Sequence, residues 1–418
     1  MNRVKCSMLV LGGLSALSLS AVPVIPDGSV TIRQDDRRAV LVDYELQNEA
    51  AVITVDFQTN GVSLGAAVSL SGDVNRKVAP GSHTLKWLPA KDIGRNLLLD
   101  DVKAVVSAWA TTTPPPYMAV NLEKTSEPFY YASAEAVPGG VTNDWYRKNW
   151  LLMRKIPAAS IWWRMGAGPN EKGQADALKA KEAPHMVQLT SDYYIGIFPV
   201  TRAQYRAVVG SVPVGQVGRA GTDLEACPVN KVSWQTLRGA NAQWPNATHA
   251  HTVDAGSVIQ LFRDRTGILS LDLPTDAQWE YAGRAGVADG MLNGLNTNAY
   301  TWNDPTPLGD YAWYGEKNGN SAGAPNPVGL LLPNRWGLYD MAGNVEEWCL
   351  DWYENVGTTT DQVDPEGPAS STEGKRVIRG LGYNNSYTYQ RCAISNGAVA
   401  TQGGATNGFR LMCDAVAK

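Results

Sequence analysis

Between residues 28 and 112 the apolar positions recur every second residue. In AVLVDYEL, Val40, Val42, Tyr44 and Leu46 fall on one side of an extended chain, with Asp43 and Glu45 on the other. In VITVDFQT, Ile53, Val55 and Phe57 share a side. This is the period of a strand covered on one face. TLKWLP and DVKAVVSAW look like further strands, and QTNG, SGDVN and APGSH carry turn residues between them. Short strands at this spacing predict a small all-β sandwich over residues 28–112. No acid–base constellation lies in it, so it reads as a binding or spacer module, or as a packing partner.

The pattern breaks at TTTPPPY, residues 111–117. Three consecutive prolines cannot join a sheet ladder and favour a stiff extended connector. Residues 113–147 are therefore expected to be a Pro-rich linker and connecting segment, with a second domain over 148–418. There the legible signals are helix starts. Thr201 with Gln204, and Thr275 with Gln278, have the spacing of capping boxes, in which two side chains satisfy orphan backbone donors reciprocally. Ser233 is placed as another N-cap. Between these short helices the chain is mostly Gly, Asn, Pro and Trp, with strand-like pieces YYIGIF, RVIRG and GFRLMC.

Composition narrows the function classes. The chain has 418 residues and a net charge of −4, and no Lys/Arg stripe appears, which argues against a nucleic-acid partner. Trp and Tyr number 14 and 17 against 5 Phe, and Gly numbers 41, which suits a loop-rich fold better than a bundle. Residues 1–21 read as a signal peptide: Arg3 and Lys5 precede the short apolar run MLVLGGLSALSLSA, with small residues Ser18, Ser20 and Ala21 at its end. The run is short for a membrane span, and no second one exists. The expectation is an exported, periplasmic or extracellular protein with no span in its mature chain. Cys227, Cys349, Cys392 and Cys413 would then permit three disulfide pairings, and buried thiols are equally open. No CxxC or CxxH spacing suggests zinc.

In order, YYIGIFPVTRAQY, PVNKVSW, LPTDAQWEYAGRAG, YAWY, NPVGLLLPNRWGLYDMAGNVEEWCLDWY, RVIRG and NGFRLMC resemble the formylglycine-generating, sulfatase-modifying-factor family over roughly residues 148–413. The resemblance implies an α+β, irregular C-type-lectin-like fold behind the β-sandwich. It also implies a copper-dependent oxidation of a sulfatase cysteine, carried by two cysteines between an RGG-like strand and a later Arg. Here that interval, LGYNNSYTYQ from Leu381 to Gln390, contains no cysteine, and Asn385 stands at the first cysteine's place. Amides and phenols do not supply the soft ligands that Cu(I) needs. No copper is expected, and Cys392 belongs to the core position after Arg391. A family branch with non-haem iron needs several His; only His249 and His251 lie close together, in NATHAHT, which reads as a solvated loop.

Rings and amides without charge suit contact rather than covalent chemistry. Tyr383, Asn384, Asn385, Tyr387 and Tyr389 are thus the candidate ligand-binding residues, for an unidentified protein or glycan. The resemblance also implies a structural calcium ion on the side chains of Asp340 and Glu347 and the carbonyls of Gly343 and Val345, a set of hard oxygen donors. The expected function is a non-catalytic binding or scaffold protein; the alternative is an oxidoreductase homologue with a divergent active site.

Overall fold

The computed structural model describes residues 22–67, 69–94, 99–168, 181–245, 251–287, 306–315, 319–355 and 357–418. The expected signal peptide and His249 lie outside the described residues. Among the described residues no helix is long and apolar enough to cross a membrane.

The alternating N-terminal segment forms two sheets, as its pattern predicts. One has the strand order β1-β2-β7-β5, from Thr31–Gln34 (β1), Val40–Leu46 (β2), Gly81–Trp87 (β7) and Leu70–Gly72 (β5). The other runs β4-β3-β6, from Val62–Ser63 (β4), Ala51–Thr59 (β3) and Arg76–Val78 (β6), with Val102–Ala110 (β8) paired along β3. Val42, Tyr44, Leu46, Ile53, Phe57, Leu85 and Trp87 form the core between them. The opposite face of β3 breaks the inside–outside rule. Val52 is fully buried because it joins the core of the second domain, where Trp109 also packs.

Residues 113–147 are more than the expected linker. Tyr117–Asn121 (β9) is buried throughout and lies inside a five-stranded antiparallel sheet of order β10-β9-β11-β14-β20. Its other members are Phe129–Tyr131 (β10), Trp150–Ile156 (β11), Tyr193–Gly196 (β14) and Met412–Asp414 (β20). The prolines themselves are fixed by their carbonyls. Pro115 accepts from the Tyr194 hydroxyl, Pro114 from Lys155 Nζ, and Pro116 from Lys155 N at 2.7 Å. A proline cannot donate to a ladder, but its carbonyl remains a full acceptor.

Both faces of this sheet are covered, so alternate residues feed two cores. Leu152, Ala119 and Ile195 point to one; Leu151, Met153, Val120 and Tyr194 point to the other. That explains a run of apolar residues in β11 in place of alternation. Two smaller sheets complete the domain. Ile161–Met165 (β12), His185–Leu189 (β13) and Gln362–Val363 (β16) form one. Glu346–Trp352 (β15), Lys375–Arg379 (β17), Asn396–Val399 (β18) and Asn407–Gly408 (β19) form the other, in the order β18-β17-β15-β19. GFRLMC is therefore split between two sheets.

The helices start where their caps predict. Both capping boxes are closed, Thr201 with Gln204 ahead of Arg202–Val209 and Thr275 with Gln278 ahead of Asp276–Arg284. Ser233 caps Trp234–Arg238. The four described cysteines are buried and unbridged. Cys392 sits in the apolar core, as its position after Arg391 suggests.

Candidate functional site

The segment from Arg379 to Ile394 is a loop closed at its base by one side chain. Arg379 ends β17, and its Nη1 donates to the carbonyls of Cys392 and Ile394 at 2.9 and 3.1 Å. Its Nε donates to Asp276 and its Nη2 lies 3.0 Å from Glu280, both on the helix behind. One guanidinium therefore binds both ends of the loop to one helix, a use of its forked donor geometry.

Within the loop the backbone is held at several points. Gly380 and Leu381 are left-handed, with φ of +84° and +62°, and swing the chain out of the sheet. Tyr383 N donates to the Asn344 carbonyl at 2.9 Å, and the Ser321 hydroxyl donates to the Tyr383 carbonyl at 2.7 Å. Asn385 uses its Oδ1 to accept from Gly382 N at 2.7 Å, while its carbonyl accepts from Gly315 N at 2.9 Å. Tyr387–Tyr389 forms a single 3-10 turn, and the Tyr387 ring lies 6.0 Å from that of Tyr314. Arg391 forks on Glu182 at 2.7 and 3.0 Å, fully buried.

This arrangement corrects part of the expected display. Tyr383 is only 7% exposed and turned inward. Asn384 and Tyr389 are exposed, and Asn385, Tyr387 and Thr388 are half-buried. The outward surface of the loop is thus built from Asn384, Tyr389 and the rims of Asn385 and Tyr387. Behind it Gln390 is 1% exposed, and neither end of its amide has a hydrogen-bond partner among the described residues. Such a group costs free energy unless water or a ligand reaches it.

The turn expected to hold calcium is shaped by backbone constraints. Asp340, Gly343 and Asn344 all have positive φ, of +54°, +77° and +63°. A Cβ at Gly343 would lie 1.8 Å from the Trp313 carbonyl oxygen, so no other residue fits. Asp340 and Glu347 are buried, and protein donors occupy both. Asp340 accepts from Gly329 N at 2.8 Å and from Asn344 Nδ2 at 3.1 Å, and burial pushes its acid up to about 6. Glu347 is gripped by Arg410 through Nε at 2.9 Å and Nη2 at 2.8 Å, and by Trp279 Nε1 at 2.6 Å. Arg410 also donates to the carbonyls of Gly196, Ile197 and Tyr339, tying β14 to this turn. Arg410 thus competes with a cation for the Glu347 carboxylate.

Sequence reasoning missed the buried ionic groups that fix this region, Arg379, Arg410, Asp276 and Glu280, and took Asp351 for an ordinary surface carboxylate. The spacing of Asp276, Glu280 and Arg284, four residues apart on one helix, was the available signal. Glu280 accepts from Arg284 Nε and from Gly166 N, each at 2.8 Å. Asp351 accepts from Asp276 N at 2.7 Å, and burial followed by the Asp276 charge pushes its acid up to about 7. His251 is not a solvated loop residue: its Nδ1 lies 3.0 Å from buried Asp272, and its ring lies 5.0 Å from Trp244. No group of three or more His, Cys, Asp or Glu side chains gathers as a metal site among the described residues.

With this geometry in hand, the comparisons assign a family. A model of the sulfatase-modifying factor enzyme 1-like domain matches residues 161–415, and the chain belongs to that family. It is 26% identical over 266 residues to the formylglycine-generating enzyme of Bos taurus, covering 56% of this chain and 68% of that one. It is 30% identical over 190 residues to the chaperone protein LppX of Paenibacillus barcinonensis, covering 40% and 65%. The chain thus spans less than two thirds of the length of some relatives. Among solved structures, Treponema denticola variable protein 1 is 28% identical with a TM-score of 0.49, over 63% of this chain and 95% of that one.

Proposed function

We propose that the family domain of this protein binds a protein or glycan ligand through the outward rim of the loop 383–391 and does not oxidise sulfatase cysteines. One observation carries the reading: the interval from Gly380 to Arg391 contains no cysteine, and Cys392, next in line, is buried in the core with no cysteine bridged to it. Catalysis of the family's reaction requires a thiolate that reaches both metal and substrate. The rim offers Asn384 and Tyr389 fully and Asn385 and Tyr387 in part, a mixture of apolar area and adaptable amides. The chaperone name borne by one relative accords with a role of this kind. Export follows from the first 21 residues as a further part of the proposal, tested by the N-terminal sequence of protein recovered outside the cytoplasm.

The test offers a Cys-x-Pro-x-Arg peptide with and without copper and reads the product by mass spectrometry. No aldehyde is expected; copper-dependent aldehyde lost in Cys392→Ser sinks the reading and supports the oxidoreductase alternative. In parallel, glycan and protein arrays are probed with wild type and with Asn384→Ala and Tyr389→Ala. A ligand bound equally by all three does not use this rim. The structural calcium on Asp340, Gly343, Val345 and Glu347 remains a family-based proposal, opposed by the Arg410–Glu347 pair. Melting with calcium and with chelator decides it: a higher midpoint in calcium supports the ion, and coincident curves discard it.

A further inference from the structure

Below the base of the loop 383–391 a cavity of about 280 Å³ opens between the helix Asp276–Arg284, the end of β15, and residues 181–183, 357–368 and 393–395. A cavity of this size suits a small polar ligand such as an amino acid or a monosaccharide. Most of the charge along it is already paired. Asp276 and Glu280 are matched by Arg379 and Arg284, and Glu182 by Arg391.

Two carboxylates are not matched. Asp351 lines the cavity, is 2% exposed, and has the Asp276 amide as its partner, with no ion pair among the described residues. Glu354 lines it too and, among the described residues, accepts from Thr372 alone, through N at 2.6 Å and Oγ1 at 3.4 Å. The Lys181 ammonium lies over the Tyr353 ring at 5.1 Å, near enough for its charge to act on Asp351 without forming an ion pair with either acid. A separate observation points to a ligand. Ser395 lines the same cavity, is 2% exposed, and its hydroxyl has no hydrogen-bond partner among the described residues. A buried hydroxyl without a hydrogen-bond partner and a buried carboxylate without an ion pair, both lining one cavity, are satisfied by a ligand that supplies a cationic donor and a second polar group.

We propose that this cavity binds a small primary amine, of amino-acid or amino-sugar size, whose ammonium pairs with Asp351 and whose neighbouring polar group meets Ser395. Glu354 lines the same cavity as a second acceptor, and Lys181 suits a carboxylate on the ligand. No residue of 383–391 lines the cavity, although Arg379 and Glu182 serve both it and the loop base, and the proposal does not depend on the function proposed for the loop.

Titration calorimetry on the full chain tests this with four probes: glucosamine, N-acetylglucosamine, lysine and Nα,Nε-diacetyl-lysine. An amine is expected to bind, and its acetylated counterpart is not. If glucosamine binds and lysine does not, the source is an amino sugar; the reverse assigns an amino acid. Asp351→Asn keeps the size and an acceptor for the Asp276 amide. It is expected to weaken binding roughly ten- to a hundredfold, the range for a hydrogen bond to a charged group. Ser395→Ala, which removes only an unpartnered hydroxyl, is expected to weaken it by roughly fivefold, within the range for a neutral hydrogen bond. Failure of both free amines to bind, equal binding of acetylated probes, or wild-type affinity in both variants overturns the proposal. If Asp351→Asn does not fold, Ser395→Ala and Glu354→Gln carry the decision, and wild-type affinity in both rejects it.

Discussion

The two halves of this protein are held together by different means. The sandwich is built around apolar strand faces, and among its described residues 22–110 Thr54 is the buried polar side chain. The second domain buries whole ions: Arg238, Arg376, Arg379 and Arg410 are among its largest fully buried side chains. Each reaches carbonyls or carboxylates far away in sequence, such as Arg410 on Glu347 and Gly196. Apolar alternation specifies a sheet face. Buried guanidinium groups with five directed donors specify where irregular loops meet. A domain with short helices and much loop needs the second kind of instruction.

The strongest way to break this comparison is at the junction. A chain beginning at Asn121 lacks most of β9 and opens the five-stranded sheet between β10 and β11. It is expected to lose cooperative unfolding altogether, whereas one beginning at Thr113 keeps β9 and folds with reduced stability, since Val52 and Trp109 are gone from its core. Circular dichroism melts of the two decide the matter, and a cooperative melt for the shorter chain would deny β9 its structural role.

Next in size is Arg379→Ala. It leaves Asp276 without its cation and Glu280 with Arg284 alone, and it releases the loop base, so a loss of about 3–5 kcal/mol in urea unfolding is expected, as for other broken buried pairs. In the sandwich, Ile53→Val removes one methylene from an apolar core and should cost about 0.5–1.5 kcal/mol. If Arg379→Ala costs no more than Ile53→Val, the buried ions are not the framework described here.

A pH test sharpens the same contrast. The folded-state acid of Asp351 is raised to about 7 by burial and by Asp276. A raised carboxyl favours folding below its unfolded value near 4, and that contribution is lost as pH rises through 7. Asp351→Asn should therefore be more stable than wild type at pH 8 and close to it at pH 4, read by urea midpoints. An equal difference at both pH values would place the titration elsewhere. The smallest effects are expected on the rim. Tyr389→Ala, 41% exposed, should stay within about 0.5 kcal/mol of wild type. Tyr387→Ala loses its ring contact with Tyr314 and should cost about 1 kcal/mol.

The same contrast explains what could be read from the residues. The sandwich strands were legible from period two alone, because each buries one face; Val52 escaped because its face is covered by another domain. Capping made three helix starts legible, since Thr201, Ser233 and Thr275 act within four residues. The rest of the second domain was reached through family resemblance. Its organising contacts, such as Arg391 with Glu182 at a separation of 209 residues, leave no local pattern. Triple proline suggested a linker because a missing donor is visible in sequence and a used carbonyl is not. Tyr383 was read as displayed because its ring resembles Tyr387 and Tyr389 in composition; the left-handed turn that points it inward rests on Leu381, a residue type that rarely adopts it.

Arg410 and β20 have a consequence for the order in which the protein is made. Both lie within residues 410–414, and they close the five-stranded sheet and neutralise Glu347. A ribosome synthesises them after every segment they hold. The sandwich, whose pairings close by Ala110, can finish folding on the nascent chain while the second domain waits with Glu347 uncompensated. Nascent chains stalled before Arg410 should thus yield a protease-resistant sandwich attached to a digestible remainder, and resistance of both halves at that length would contradict this order.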